Sequence, residues 1–395
     1  MKFKTYTMED ALEAIIDYRG KTPKKSDSGI PTLSAKSVKK NHIDYSLCYY
    51  ISPDEYKRFM VRGFPKIGDV LLTTEAPMGV VARLDRDDVA IAQRLLTLRG
   101  KENVLDNEYL LYFLQSSSGQ SLLKARETGT TVTGIKQAEF RKIQINVPEI
   151  SAQKEIGGFL RTLDEKIEIN SKINENLLQQ AQALFISWFV DYAPFGGKMP
   201  DNWENMSVYE LADYINGAAF KKNEYADTGI PIIKIVELKN GITDSTQRCC
   251  VKKDEKYYID DRDILFSWSG NPDTSIDTFI WSRGRAILNQ HTFRVVSKYD
   301  APAFTFFLLK YLKPQFTHIA SNKQTTGLGH VTVADLKRLQ FRANASVIAE
   351  FDALVMPMFD LIYSKYKEIH QLSNLRDTLL PKLMSGEIDV SNLEL

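Results

Sequence analysis

Gly29-Ile30-Pro31 returns two hundred positions later as Gly229-Ile230-Pro231. Each copy follows a short amphipathic stretch, Met8 to Tyr18 in the first and Val208 to Ile215 in the second, and then a basic, polar loop. Farther along, Gly68-Asp69-Val70-Leu71-Leu72 is echoed by Arg262-Asp263-Ile264-Leu265-Phe266, and Thr130-Thr131-Val132-Thr133-Gly134 by Thr325-Thr326-Gly327-Leu328-Gly329. Each half closes with a long helical pattern, Ser151 to Tyr192 and Ser346 to Ser385. A period near half the chain is too long for a solenoid repeat. It means two similar domains, each followed by a helix, an arrangement suited to touching two sites at once.

The 395 residues leave room for two or three domains. With 43% hydrophobic and 26% charged residues, the chain can bury ordinary globular cores. A net charge of +1 excludes a polycation that coats nucleic acid indiscriminately, but it permits local basic patches. Three cysteines, two of them adjacent (Cys249, Cys250), form no disulfide framework and fit a reducing compartment. Cys48 stands alone and the five histidines are scattered, so no metal-ligand spacing exists. Met1-Lys2-Phe3-Lys4 leads into Thr, Glu and Asp, so no signal peptide is expected. With no run of about 18 apolar residues, no membrane span is expected either. The expectation is a cytoplasmic location.

Between Pro31 and Val147, short β-like runs alternate with turn signals. Val70–Thr73, Val80–Ala82, Val89–Ala92 and Leu95–Leu98 read as strands, and Asn107–Gln120 as a helix packed on them. The second half repeats the alternation: Ile232–Val236, Ile264–Trp268, Thr278–Trp281 and Thr292–Val296 as strands, Ala303–Leu312 as the matching helix. Both domains are therefore expected to be mixed α+β layers. The expected boundaries are 1–150 and 196–345 for the two domains, 151–195 and 346–395 for the helices.

In the first long helix Leu160, Leu163, Ile167, Ile173, Leu177, Leu184 and Trp188 recur at spacings near three and four or their sums, a narrow seam with charged flanks. Ile362, Tyr366, Ile369, Leu372, Leu375 and Leu379 do the same in the second. One offset carries Ser151 onto Ser346, Leu177 onto Leu372 and Leu184 onto Leu379. A helix of about 40 residues is roughly 60 Å long at 1.5 Å per residue, which suits a spacer. Pro357 is expected to kink or restart the second helix. Asn170 and Asn174 fall at or near the seam. The simpler reading is a solvated edge; the alternative is a buried polar pin of register.

Catalytic motifs fail one by one. Pro53-Asp54-Glu55-Tyr56-Lys57 holds its acidic residues and lysine contiguously, with no room to converge on a metal as a nuclease site requires. Asn271-Pro272-Asp273 lacks the second proline and the aromatic that would sandwich an extruded base. Gly196-Gly197-Lys198 lacks the upstream glycine and the Ser/Thr of a phosphate loop. There is no nucleophile elbow and no glycine-rich cofactor loop, so no cofactor is expected, and the pattern favours a binding role.

The nucleic-acid signal lies in the loops. Arg19, Lys21, Lys24, Lys25, Lys36, Lys39 and Lys40 crowd around the first Gly-Ile-Pro, and Lys221, Lys222, Lys234 and Lys239 around the second. Such cations on loops of a rigid scaffold suit phosphate contacts. The alternative is a solvated face, but recurrence at the same relative place favours function. Thr130 and Thr131, with Lys136 just beyond, and Lys323 with Thr325 and Thr326, lie in or beside polar, glycine-containing loops that can hold phosphates; an ordinary loop before the next strand is an equal alternative. Asn289, Gln290 and His291, and Gln93 with Arg94, lie where strands break and are types able to read base edges, although a lone polar cluster is more often just a turn.

Leu163-Asp164-Glu165-Lys166-Ile167-Glu168 through Ala183-Leu184-Phe185, then Ser187-Trp188-Phe189-Val190-Asp191-Tyr192, resemble the specificity subunit of type I restriction–modification enzymes. The tail Leu375-Arg376-Asp377-Thr378-Leu379-Leu380-Pro381-Lys382-Leu383-Met384-Ser385-Gly386-Glu387-Ile388 is the most specific stretch. Gly134 to Gln153 is similar too, while its second copy, with Phe341-Arg342-Ala343, lacks the proline. The resemblance spans nearly the whole chain. It implies two target recognition domains, each reading one half of a bipartite site in double-stranded DNA. It implies that the two helices pair as an antiparallel coiled coil that sets the spacing. It assigns catalysis elsewhere: methylation subunits, two per chain, carry S-adenosylmethionine and adenine methylation, and restriction subunits carry translocation and cleavage. This chain would be non-catalytic. An alternative is a two-headed scaffold that binds proteins and never touches DNA; a strong fall of DNA affinity with salt separates the two.

Two further expectations concern the helices. Phe185, Trp188 and Phe189, with Leu379, Leu380 and Leu383, are more apolar surface than two helices can cover, and so are expected to mark the docking site for methylation subunits; the alternative, as good for Trp188, is that they pack onto the base of the following domain. Residues 1 to about 195, carrying one seam without its partner, are expected to form an antiparallel dimer.

Overall fold

The computed structural model describes residues 2–129, 133–324 and 327–390. It divides into two compact units, Met1–Lys166 with Leu372–Leu395, and Ile167–Gln371.

In the first unit Leu12–Asp17, Leu95–Gly100, Val70–Thr73 and Val81–Arg83 form, in that order, an antiparallel sheet. The helix Asn107–Gln115 packs on it, burying six consecutive side chains from Tyr109 to Leu114. The Asp106 carboxylate caps this helix by accepting the Glu108 and Tyr109 N–H groups at 3.0 and 3.1 Å. The single helix expected over Asn107–Gln120 is broken at Ser116. That hydroxyl accepts the Gly119 N–H at 3.1 Å and starts a second helix, Ser117–Lys124. A serine that can cap favours an ending over a passage through.

A second, smaller sheet holds the decisive tripeptide. Ile30–Leu33 pairs antiparallel with Tyr49–Ile51 and parallel with Ala90–Ile91. In the second unit Ile230–Ile233 pairs antiparallel with Arg248–Cys249 and parallel with Ala286–Leu288. The larger sheet recurs as Ala212–Asn216, Thr292–Ser297, Ile264–Ser267 and Asp277–Ile280. Ile232–Val236, expected as one strand, stops at Ile233; Ile235–Asn240 is helical, with the Glu237 carboxylate accepting the Lys234 N–H at 3.0 Å.

Glycine is required at the head of both tripeptides. Gly29 and Gly229 have φ of +125° and +117°, and a Cβ at either would stand 2.3 Å from the carbonyl oxygen of Ile51 or Cys249. Strand pairing depends on that approach. Gly29→Ala, or Gly229→Ala, is expected to cost about 1–3 kcal/mol by forcing an L side chain into this region. A thermal melt unchanged within a degree would remove this explanation of the repeat.

The long helices run Ile150–Phe189 and Ala345–Ser385. In the first unit the beginning of the first shares a core with the end of the second: Ile156 and Leu160 with Leu380, Leu383 and Met384. In the second unit Phe185 and Phe189 lie 5.7 and 5.1 Å from Phe351, ring centre to ring centre. The pairing is thus antiparallel. The second helix is continuous through Pro357, so of the expected kink or restart the restart does not occur. Loss of one backbone hydrogen bond is offset by burial of Phe351, Val355, Phe359 and Ile362 on either side. Asn170 and Asn174 are 1% and 2% exposed, and their carboxamides find no hydrogen-bond partner among the described residues. The solvated edge is therefore incorrect: both carboxamides are buried.

In the first unit the seam is ionic at one place. The Arg376 guanidinium meets the Asp164 carboxylate at 2.6 Å, each side chain 9% exposed. Tyr112 and Asn41 donate to the same carboxylate at 2.8 and 3.2 Å. Burial and the Asp164 charge together push the Tyr112 hydroxyl well above its ordinary pKa. Burial alone would lower Arg376, but its bonds to Asp164 outweigh that and raise it.

The expected docking patch is not an exposed patch. Phe185 and Leu383 are 0% exposed, Phe189 5% and Leu380 8%, and all four belong to the cores of their units. Trp188 and Leu379 are half-buried. Helical periodicity showed these faces to be apolar but not that the adjoining domain covers them. Leu380→Asp would therefore damage a core. The apolar side chains that the long helices do expose include Leu354 and Leu361 in the second unit and Leu375 in the first.

Candidate nucleic-acid interface

The basic residues around the first Gly-Ile-Pro sort into separate groups. Lys24 and Lys25 lie on an exposed loop fixed by Glu55, whose carboxylate accepts the Lys24 N–H at 2.9 Å. That bond and the Arg58 guanidinium hold the Glu55 carboxyl below its ordinary pKa. The Lys25 ammonium stands 4.8 Å from the centre of the Tyr49 ring. The contiguous Asp54 and Glu55 belong to a short helix, Pro53–Phe59, capped by Ser52, which accounts for them structurally.

Lys39 sits in a two-strand ribbon, Val38–Lys39 with His42–Ile43, and Lys40 at its turn. Asn41, at φ +70°, ties that turn to Asp164 of the long helix. Lys21 and Lys36 are exposed in tight turns, their loops closed by backbone bonds from Lys21 to Tyr18 and from Ser37 to Ser34.

Arg19 and Arg94 converge. Their guanidinium groups share the Glu75 carboxylate at 4.0 and 3.2 Å. The Gln93 carboxamide donates to Thr22 at 3.3 Å. The Arg94 carbonyl accepts the Thr74 N–H at 3.0 Å, and the Thr74 carbonyl accepts the Ile135 N–H at 2.9 Å. Lys136, exposed, follows directly at the head of the helix Gln137–Arg141. Arg19, Gln93, Arg94 and Lys136 thus gather around one end of the larger sheet. Glu75, which orients both arginines, was not singled out from sequence, where nothing distinguishes it from any loop carboxylate.

In the second unit Lys221 and Lys222 are exposed at a single 3₁₀ turn, the Lys221 N–H donating to Glu224 at 2.8 Å. Lys234 bonds to Gln247 and stands 5.5 Å from the Tyr225 ring centre. Lys239 is exposed in the last turn of the helix Ile235–Asn240. Lys323 is half-buried and paired with Asp335. Burial would raise the Asp335 carboxyl, but its bonds to Lys323 and Thr332 outweigh that and lower it. The Lys323 charge is therefore largely neutralised within the fold. Thr130, Thr131, Thr325 and Thr326 lie outside the described residues.

Asn289 and His291 flank exposed Gln290 beside Trp268. The Trp268 indole N–H donates to Asn216 at 3.2 Å, its ring stacks on Phe293 with centres 5.7 Å apart, and His291 lies 5.7 Å away. Asn271 caps the short helix Pro272–Ser275 by accepting the Asp273 and Thr274 N–H groups, both at 3.1 Å, which explains that tripeptide without chemistry on a base. Among the described residues no group of three or more His, Cys, Asp or Glu side chains is placed to hold a metal ion, and no helix is long and apolar enough to cross a membrane.

Comparison with known proteins matches the type I restriction modification DNA specificity domain twice, over residues 2–179 and 200–342. The MjaIX specificity subunit of Methanocaldococcus jannaschii is 26% identical over 87% of this chain and 82% of its own length. The HindI specificity subunit of Haemophilus influenzae is 22% identical over 82% of this chain and 87% of its own. The crystal structure of a type I restriction–modification S subunit from M. genitalium has the same fold, with a TM-score of 0.57 and 16% identity over 97% of this chain and 96% of the other.

Proposed function

The chain belongs to the type I restriction–modification DNA specificity family, and from that premise we propose that it is the DNA-reading, non-catalytic subunit of a type I restriction–modification complex. Residues 1–150 and 196–345 are target recognition domains, each taking one half of a bipartite site in double-stranded DNA. Residues 151–195 and 346–395 are the spacer helices that set the distance between halves. In the cytoplasm, methylation subunits, two per chain, dock on the helices and supply S-adenosylmethionine chemistry at adenine. The observation that carries this reading is the duplication. One framework, with Gly29 and Gly229 in the same strand junction, recurs over both family matches.

Phosphate contact supplies the affinity. Lys24, Lys25, Lys221 and Lys222 are exposed cations on anchored loops. Replacing Lys24 and Lys25 with alanine is expected to weaken binding to every sequence about equally. It should also lower the slope of log affinity against log salt by about one per lost contact. Fluorescence anisotropy on the assembled complex over a salt series measures both. An altered preferred sequence with an unchanged slope would reassign these lysines to base reading. No DNA binding by the wild type at any salt concentration would favour the protein scaffold instead.

A further inference from the structure

The two units share a set of backbone hydrogen bonds at the point where the small sheet hands over to the large one. In the first unit the Ala92 N–H bonds to the Leu33 carbonyl at 2.8 Å, and the Arg94 carbonyl accepts from Thr74 at 3.0 Å. In the second, the Asn289 N–H bonds to the Ile233 carbonyl at 2.9 Å, and the His291 carbonyl accepts from Trp268 at 3.4 Å. The next carbonyl agrees too: Thr74 accepts from Ile135 and Trp268 from Val331. Ala92-Gln93-Arg94 and Asn289-Gln290-His291 are therefore one position in two copies. Sequence alone did not align them, because the matching tripeptides share only glutamine.

We propose that Gln93-Arg94 and Gln290-His291 are the base-reading pairs of the two units, and that the difference between Arg94 and His291 makes the two halves of the recognised site differ. This rests on the DNA-reading function proposed above. Both pairs are exposed and bounded on each side by a strand, Ala90–Ile91 and Leu95–Gly100 in one unit, Ala286–Leu288 and Thr292–Ser297 in the other. A side chain that reads a base must be held in direction, and such a junction does that.

The surroundings then separate the chemistries. Arg94, at φ +73°, is aimed by Glu75, which also takes part of its charge. A guanidinium so neutralised adds little general attraction for phosphate but keeps its fork of donors, which matches the two acceptors on the major-groove edge of guanine. His291 sits instead against an indole ring, in a neutral set that includes Asn289 and Gln290. Carboxamides pair with the donor and acceptor of adenine. The shared glutamine gives each unit one amide reader; the neighbouring residue sets the difference.

The test is the genome-wide map of modified bases made by the full chain with its methylation subunits in a host lacking other DNA methylation. Arg94→Asn keeps a residue that accepts positive φ while removing the fork. The expected result is a motif with one half and the spacer unchanged and one base position in the other half relaxed, with about tenfold or greater loss of discrimination there. His291→Ala should relax the opposite half alone. Weaker modification of an unchanged motif would mark both as phosphate contacts and overturn the assignment, as would changes in both halves from one substitution. If Arg94→Asn gives no modification, Gln93→Ala decides: a motif relaxed in the same single half upholds the assignment, an unchanged one overturns it. A wild-type chain that directs no bipartite motif overturns the proposed function itself, and this assignment with it.

Discussion

Arg376→Ala is expected to cost about 3–5 kcal/mol, because it leaves the Asp164 carboxylate buried without its counter-charge. The pair is almost dry, 9% exposed on both sides, so solvent screening gives little relief. Tyr112 and Asn41 still donate to Asp164, but neither supplies positive charge. The loss should fall on the first unit, where the helix Asn107–Gln115 and both long helices meet at this carboxylate. A whole-chain unfolding curve does not resolve that, since two units need not unfold together. Hydrogen exchange of the Asn107–Gln115 amides does. Replacing the pair jointly, Asp164→Leu with Arg376→Met, removes the buried charge but orphans the Tyr112 hydroxyl, at about 1–3 kcal/mol. Adding Tyr112→Phe should recover most of the stability. An Arg376→Ala chain with unchanged exchange would show that the ion pair does not stabilise the seam.

The half-chain of residues 1–195 is expected to associate weakly, against what its seam alone suggests. The offset of the repeat that places Ser151 on Ser346 puts Asp164 on Phe359 and Arg376 on Ala181. Phe359 and Ala181 are buried together in the apolar core of the second unit. Where one unit joins the helices with an ion pair, the other does so with a phenyl ring and a methyl group. A homodimer of the first half would set Asp164 against the partner copy's alanine, twice, with no arginine present. An unpaired buried carboxylate costs several kcal/mol, enough to move dissociation by orders of magnitude. Asp164→Leu in the half-chain removes the defect and should tighten association at least a hundredfold. Sedimentation over a concentration series compares the two; equally tight dimers from both sequences would show that the seam tolerates the charge.

Much of the architecture is written locally. Gly29 and Gly229 announced the duplication because only glycine accepts their φ so close to a carbonyl oxygen, a constraint that acts at one residue. Strands such as Val70–Thr73 and the helix Pro302–Tyr311 follow from short-range hydrophobic pattern. The capping role of Asn271 and the loop-anchoring role of Glu55 were visible only in the structure. The long helices were recognisable by period, but their partners were not. Periodicity says that Phe185 lies on an apolar face and is silent about the rings of Phe304, Phe341 and Phe351 that cover it. Asp164 and Arg376 read as ordinary charged positions on a helix flank. Only the tertiary structure brings them together across 212 residues and buries them, and only the backbone hydrogen bonds align Arg94 with His291. Sequence by itself determined that there are two copies of one framework, because their turns and periods are local. Which side chains the copies bury, and which they leave exposed, was decided by packing, because burial belongs to pairs of surfaces and not to a residue.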